Sequence, residues 1–102
     1  MRQFRSYQLA VNLYRCAARL QSKQLPCHLR DQLKRAASSV VLNLAEGYGR
    51  LNTGDQGKFY KISLGSAREV QAIFDLIEDD TDLVKLADDV AKNIYCLIRS
   101  LR

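Results

Sequence analysis

The positions of proline and glycine constrain this chain more than any other feature, because both residues interrupt regular helices. Pro26 is the only proline, and the five glycines lie between residues 47 and 65. Between these breakers, apolar residues recur at steps of three and four, as they do along one face of a helix. No stretch alternates like a half-buried strand. We therefore expect an all-α fold, with helices at about 4–22, 26–47, 54–79 and 82–101.

The length of the chain limits how these helices are arranged. A chain of 102 residues is long enough for one domain and too short for two. Short connections between long helices are typical of an antiparallel up-down-up-down bundle. We predict that residues 1–102 form one four-helix bundle with a modest core, which oligomerisation would help to stabilise.

Local signals predict how the helices begin, end and pack. The first helix is expected to face the core through an apolar seam made of Phe4, Tyr7, Val11, Tyr14 and Ala18. A second apolar row beside this seam is expected to widen it and consists of Ala10, Leu13, Ala17 and Leu20. The second helix should end at Gly47 or Gly49 in a left-handed cap. Thr53 with Gln56 fits a capping box for the third helix. Gly65, in mid-helix, suggests close approach to a neighbouring helix.

Charge is unevenly distributed along the chain. The net charge is +5, and residues 1–52 carry nine Lys and Arg against two Asp and Glu, whereas the remainder carries seven against nine. A basic half can attract nucleic acid or acidic partners, and it can equally be an ordinary solvated surface. The acidic run at 78–82 suits the positive start of the fourth helix.

Cysteine and hydropathy patterns bear on the compartment. Cys16, Cys27 and Cys96 are widely spaced, so they form neither a CxxC zinc signature nor a disulfide framework. The N-terminal residues hold no apolar run typical of a signal peptide, and no window reaches the ~18 apolar residues of a membrane span. The expected location is the cytoplasm, with no membrane association.

Two ordered motifs in the middle of the chain carry a family resemblance. Residues 32–47 read QLKRAASSVVLNLAEG, and residues 58–69 read KFYKISLGSARE. This pair resembles the four-helix-bundle proteins encoded within bacterial 23S ribosomal RNA intervening sequences. Leu44 and Val40 stand where that family usually has isoleucine, and residues 51–55 replace a serine-rich loop.

The resemblance implies an all-α bundle that assembles as a ring-like homopentamer, and it implies no settled function. A more distant relative is the accessory protein of diversity-generating retroelements, a basic pentameric barrel that binds nucleic acid and a reverse transcriptase. Extending that role to this chain rests on analogy of fold alone.

Polar residues of the two motifs admit two interpretations. Asn43 and Glu46 on the second helix could meet Ser66 and Glu69 on the third, either as an acid–base or metal site or as a structural polar network. A di-iron bundle needs Glu-x-x-His pairs, and the only histidine, His28, lacks such a partner. We therefore favour the structural network.

No pattern points to catalysis. The serines of the two motifs lack a nearby histidine base, and the glycine-rich segment 47–54 lacks the order of a phosphate-binding loop. We expect no catalytic, metal or cofactor site, and we expect that the protein is not an enzyme.

Candidate binding residues lie in the basic half. Arg15 with Arg19, and Arg30 with Lys34, are each one helical turn apart, so neighbouring first and second helices would bring them into one patch. The full set of helix candidates is Arg15, Arg19, Lys23, Arg30, Lys34 and Arg35. After the second helix, Tyr48 could stack on a base and Arg50 could contact a phosphate. Alternatively, Tyr48 is an aromatic lid over the end of the bundle.

The sequence leads to two functional hypotheses. The first is a non-enzymatic homo-oligomer that binds RNA or DNA through phosphate contacts with little sequence specificity. The alternative is a protein-interaction scaffold, which should leave an exposed apolar patch for a protein partner.

Overall fold

A computed structural model describes residues 2–20, 25–77 and 82–101, and within them the fold is all-α with four helices and no strand. The helices are α1 (Arg2–Ala18), α2 (Cys27–Tyr48), α3 (Thr53–Leu76) and α4 (Asp82–Arg99). The structure extends 44 × 20 × 18 Å, so its long dimension follows the helices. None of the described helices is long and apolar enough to cross a membrane.

Each helix has two neighbours around one hydrophobic core. α1 contacts α2 and α4, and α3 contacts the same two helices. All four helices contribute side chains to the core, including Ala10, Leu13, Ala17, Leu33, Val40, Tyr60, Val70, Phe74, Val90, Ile94 and Leu97. Contacts between α2 and α3 join Ser39 to Ser66 and Ser63 to Val40.

The predicted core seam of α1 is partly wrong. Its outer members Phe4 and Tyr7 are 59% and 40% exposed, whereas the row expected only to widen the seam contributes the fully buried residues. That row continues backward to Ser6, which is also buried. The core face of α1 is thus the row of Ser6, Ala10, Leu13 and Ala17, in which Leu13 is the one large side chain.

Helix ends differ from the predicted bounds by a few residues. α1 ends at Ala18, because Arg19 and Leu20 close the last turn with N–H bonds to carbonyls three residues back. α4 ends at Arg99 through similar bonds from Ser100 and Leu101. Several predictions fall outside the described residues: the helix ends at 22 and 79, residues 78–81 of the acidic run, and Lys23.

Neither predicted glycine forms a left-handed cap. α2 continues through Gly47 to Tyr48, and the cap residue Gly49 has a φ of −79° and a ψ of −7°. Gly47 is needed for space instead, since a Cβ there would lie 2.6 Å from Cε1 of Tyr60. The expected close approach at Gly65 is absent in the described chain, because nothing lies within 4 Å of a Cβ built there.

The cap of α3 is Asn52 rather than the predicted Thr53. Asn52 Oδ1 accepts the backbone N–H of Asp55 at 2.8 Å, and Asn52 Nδ2 donates to the Asp55 carboxylate at 3.1 Å. The prediction was displaced by one residue because asparagine and threonine are adjacent and both are common at this position.

Candidate nucleic-acid interface

Predicted cations cluster where α1 ends and α2 begins. Arg15 lies in the last turn of α1 and Arg19 follows it, while Lys34 and Arg35 lie in the first half of α2. These four side chains are exposed, and Arg30 is half-buried. α1 and α2 are neighbours, and the candidates lie towards the ends of the two helices that follow each other in the chain. We call Arg15, Arg19, Arg30, Lys34 and Arg35 the cationic surface.

The cationic surface has few acidic neighbours among the described residues. Residues 2–18 include no acidic residue, and Asp31 is the only acidic residue in the first half of α2. None of the five cations forms an ion pair with a residue that the structure describes; Arg30 donates only a long bond of 3.8 Å to Cys27 Sγ. The first turn of α2 is also without an acidic residue, so the positive end of its dipole adds to the field.

Arg50, in contrast, is held by its own chain. Its guanidinium lies 3.1 Å from Glu46 Oε2 and 4.6 Å from the centre of the Phe59 ring. Glu46 therefore offsets the charge that was predicted to contact a phosphate. This arrangement secures the connection between α2 and α3, where Gln56 Nε2 also donates to the Arg50 carbonyl at 3.2 Å.

Tyr48 lies at the other end of α2 and forms part of an open pocket of about 340 Å³. The lining residues come from the start of α1 and the end of α2: Gln3, Phe4, Tyr7, Leu44, Ala45 and Tyr48. Tyr48 is 60% exposed, so it lies beside the pocket rather than sealing it. We call this the aromatic pocket.

Sequence reasoning missed Phe4 and Tyr7 as members of a surface site, because it assigned both to the core. The unbroken row of small and apolar residues from Ser6 to Ala17 was the available signal. Only one such row of a helix faces the core fully, so the adjacent row that contains Phe4 and Tyr7 lies at the margin of the core.

Only part of the predicted polar network comes together. Asn43 Nδ2 donates to the Ser39 carbonyl at 2.9 Å and lies 3.1 Å from Ser39 Oγ, which is 2.7 Å from Ser66 Oγ. Glu46 bonds to Arg50 instead, and Glu69 is exposed without a bond to any described residue. The network therefore joins α2 to α3 through hydroxyls and one amide.

Within residues 2–20, 25–77 and 82–101, no cluster of three His, Cys, Asp or Glu side chains could hold a metal ion. His28 is exposed near the start of α2. Cys16, Cys27 and Cys96 are not joined by a disulfide, and Cys16 is half-buried.

Tyr60 is the most perturbed ionisable group of α3. Its side chain is fully buried against Gly47, and its hydroxyl has no hydrogen-bond partner among the described residues. Burial raises the pKa of Tyr60 above its ordinary value, and Coulombic repulsion with the ionised form of Tyr48 raises it further. No feature beside it suggests catalysis, so we treat Tyr60 as a packing residue.

Comparison with known proteins identifies one family. The family model described as 23S rRNA-intervening sequence protein matches residues 3–101, which include all four helices almost completely. A search of curated proteins gave no match.

Proposed function

The chain belongs to the 23S rRNA-intervening sequence protein family, and we propose that it is a non-enzymatic homo-oligomer that binds RNA or DNA through the cationic surface. The observation that supports this most strongly is the exposure of Arg15, Arg19, Lys34 and Arg35 without an ion-pair partner in the part of the chain that the structure describes. Such groups attract phosphates and release condensed counterions when they bind, which favours association without sequence specificity.

Our proposal includes an antiparallel up-down-up-down arrangement that assembles as a ring-like homopentamer. Two hydrogen bonds support the antiparallel order of α2 and α3: Ser39 pairs with Ser66, and Val40 pairs with Ser63. The contact thus moves forward along α2 as it moves backward along α3. Five copies of a chain of charge +5 would carry about +25, which would attract polyanions over a long range.

The absence of catalysis is also part of the proposal. An enzyme built on the motif residues would need Asn43, Glu46 and Glu69 in one pocket with perturbed pKa values. Glu46 bonds to Arg50 and Glu69 is exposed, so the two carboxylates are not joined to Asn43. The cytoplasmic location expected from the sequence stays a prediction.

Charge reversal tests the proposed surface. We expect Arg15→Glu with Lys34→Glu to abolish measurable binding of a labelled RNA in fluorescence anisotropy at ~50 mM salt, where electrostatic binding is strong. The matched control is Lys58→Glu with Lys61→Glu on α3, which changes the net charge equally at exposed positions. Equal losses in both variants, or no binding by the unaltered protein, would contradict the proposal.

A protein-interaction scaffold is the second candidate, and exposed apolar side chains favour it. Leu42 and Leu76 are 65% and 70% exposed, and Ile62 is 44% exposed. A scaffold should retain a specific protein partner after nuclease treatment of the lysate, and Leu42→Asp should release that partner. If nuclease removes every bound partner, nucleic acid is the common ligand and the scaffold hypothesis fails.

A further inference from the structure

Three members of the cationic surface, Arg15, Arg30 and Lys34, lie on the same rows of α1 and α2 as residues of the aromatic pocket, and these rows flank the groove between the two helices. On α2, residues 30, 34, 41, 45 and 48 recur at helical spacing and so form one row. Ala45 and Tyr48 of that row line the pocket, whereas Arg30 and Lys34 belong to the cationic surface. On α1, Phe4, Tyr7, Val11 and Arg15 form the corresponding row. Each row therefore runs from aromatic residues to cations.

The separation of the two features suits a short strand of nucleic acid. At ~1.5 Å per residue, Phe4 lies about 16 Å from Arg15 along α1, and Tyr48 lies about 21 Å from Lys34 along α2. With phosphates at ~3.4 Å intervals or more along one strand, a few nucleotides bridge that distance. A positively charged groove with aromatic side chains is the usual means of holding single strands.

The chemistry of the pocket fits a flat aromatic ring. A volume of about 340 Å³ lies at the lower end of small-molecule sites, and the lining combines three aromatic rings with few polar groups. The rings of Phe4 and Tyr48 are more than half exposed, so their faces are available for stacking. Gln3 and the tyrosine hydroxyls can bond to the edge of a base.

We propose that the α1–α2 groove binds single-stranded nucleic acid and that the aromatic pocket holds one unpaired base. This inference rests on the proposed function, because the cationic surface supplies the phosphate contacts. Paired bases are stacked inside a duplex and cannot enter the pocket, so the protein prefers single strands.

Anisotropy titrations at ~50 mM salt, with a labelled 12-nucleotide oligo(dT) and its duplex with oligo(dA), test this preference. We expect the unaltered protein to bind the single strand at least about fivefold more tightly, the lower end of what one base–aromatic stack contributes. Tyr48→Ala should weaken single-strand binding by roughly 5- to 100-fold and leave duplex binding nearly unchanged. Tyr48→Phe should restore it, because stacking needs the ring and not the hydroxyl.

The matched control is Tyr95→Ala, since Tyr95 is 46% exposed on α4, where it accepts a bond from Arg99. We expect Tyr95→Ala to bind both ligands like the unaltered protein. Equal affinity for single strand and duplex, or equal effects of Tyr48→Ala and Tyr95→Ala, overturns the inference. The proposed function would survive that result as long as charge reversal still abolishes binding.

A neutral ligand separates the pocket from the cationic surface. Adenosine carries no phosphate, so its binding does not depend on Arg15 or Lys34. We expect adenosine to shift the ring NMR signals of Phe4, Tyr7 and Tyr48, and not those of Tyr95. Unshifted pocket signals overturn the inference, and so does a drop in native mass for folded Tyr48→Ala, which would assign the pocket to contact between copies of the chain.

Discussion

Gly47 packs closely against the Tyr60 ring, which limits the side chains that position 47 can accept. A Cβ on Gly47 would lie 2.6 and 2.8 Å from two carbons of the Tyr60 ring. The ring cannot easily move away, because Tyr60 is fully buried. Glycine at this position is therefore required by space and not by backbone angle, which explains why the prediction of a left-handed cap was wrong.

We expect Gly47→Ala to lower the free energy of unfolding by about 1–3 kcal/mol through overpacking, despite the better helix propensity of alanine. Gly65→Ala is the control, since it adds the same methyl group to a helix where nothing lies within 4 Å. That variant should be more stable by up to about 1 kcal/mol. Chemical denaturation followed by circular dichroism measures both, and similar values for the two variants would argue against the Tyr60 contact.

The raised pKa of Tyr60 predicts that the stability of the fold decreases at high pH. A group with a raised folded-state pKa supports folding below its unfolded-state pKa, and this support is lost as the pH rises through the folded-state pKa. Stability should therefore fall above about pH 10, where Tyr60 loses its proton in the unfolded chain but keeps it in the folded chain. Tyr60→Phe should fall less steeply, and at pH 7 it should be no less stable, since it removes a buried hydroxyl without a described partner. Tyr95→Phe, at an exposed position, should follow the unaltered protein.

At the scale of the helices, the cap of α3 distinguishes the structure from the sequence-based expectation. We expect Asn52→Ala to cost about 1 kcal/mol, because Asn52 accepts the Asp55 N–H. Gln56→Ala should cost less than about 0.5 kcal/mol, since its exposed amide only donates to the Arg50 carbonyl. Thermal denaturation of the two variants checks the order, and a larger loss for Gln56→Ala would support the predicted capping box instead.

Helix number and type could be predicted from the sequence, because one proline, clustered glycines and a period near 3.6 leave few alternatives. The face of α1 could not be fixed in the same way, since two adjacent rows are both apolar and only packing decides which is buried. Sequence reasoning also did not identify the pairing of Glu46 with Arg50 or the exposure of Glu69. Local spacing places the Glu46 carboxylate on a helix but does not determine whether it forms an ion pair with Arg50 or is solvated.

At the scale of the whole molecule, the proposed function belongs to the outer surface of the four helices rather than to their core. The cationic surface was predicted from the charge distribution, and the structure adds that its members lack described ion-pair partners. The aromatic pocket was not predicted, because it needs residues from the start of α1 and the end of α2 at once.

Assembly is a separate prediction at this scale. We expect a native mass about five times that of one chain in light scattering, with nucleic acid co-purifying unless nuclease is added. A monomer would contradict the ring and lower the charge available to each ligand.

Salt titration of RNA binding tests the central claim most directly, because phosphate contacts release counterions and side-chain contacts of other kinds do not. The logarithm of the affinity should fall linearly with the logarithm of salt between 50 and 200 mM, by about 0.7 for each phosphate contact to a single strand. Arg15→Ala with Lys34→Ala should reduce that slope by about 1.4, at two contacts. Affinity that is independent of salt, or a slope that these substitutions leave unchanged, would contradict binding through the cationic surface.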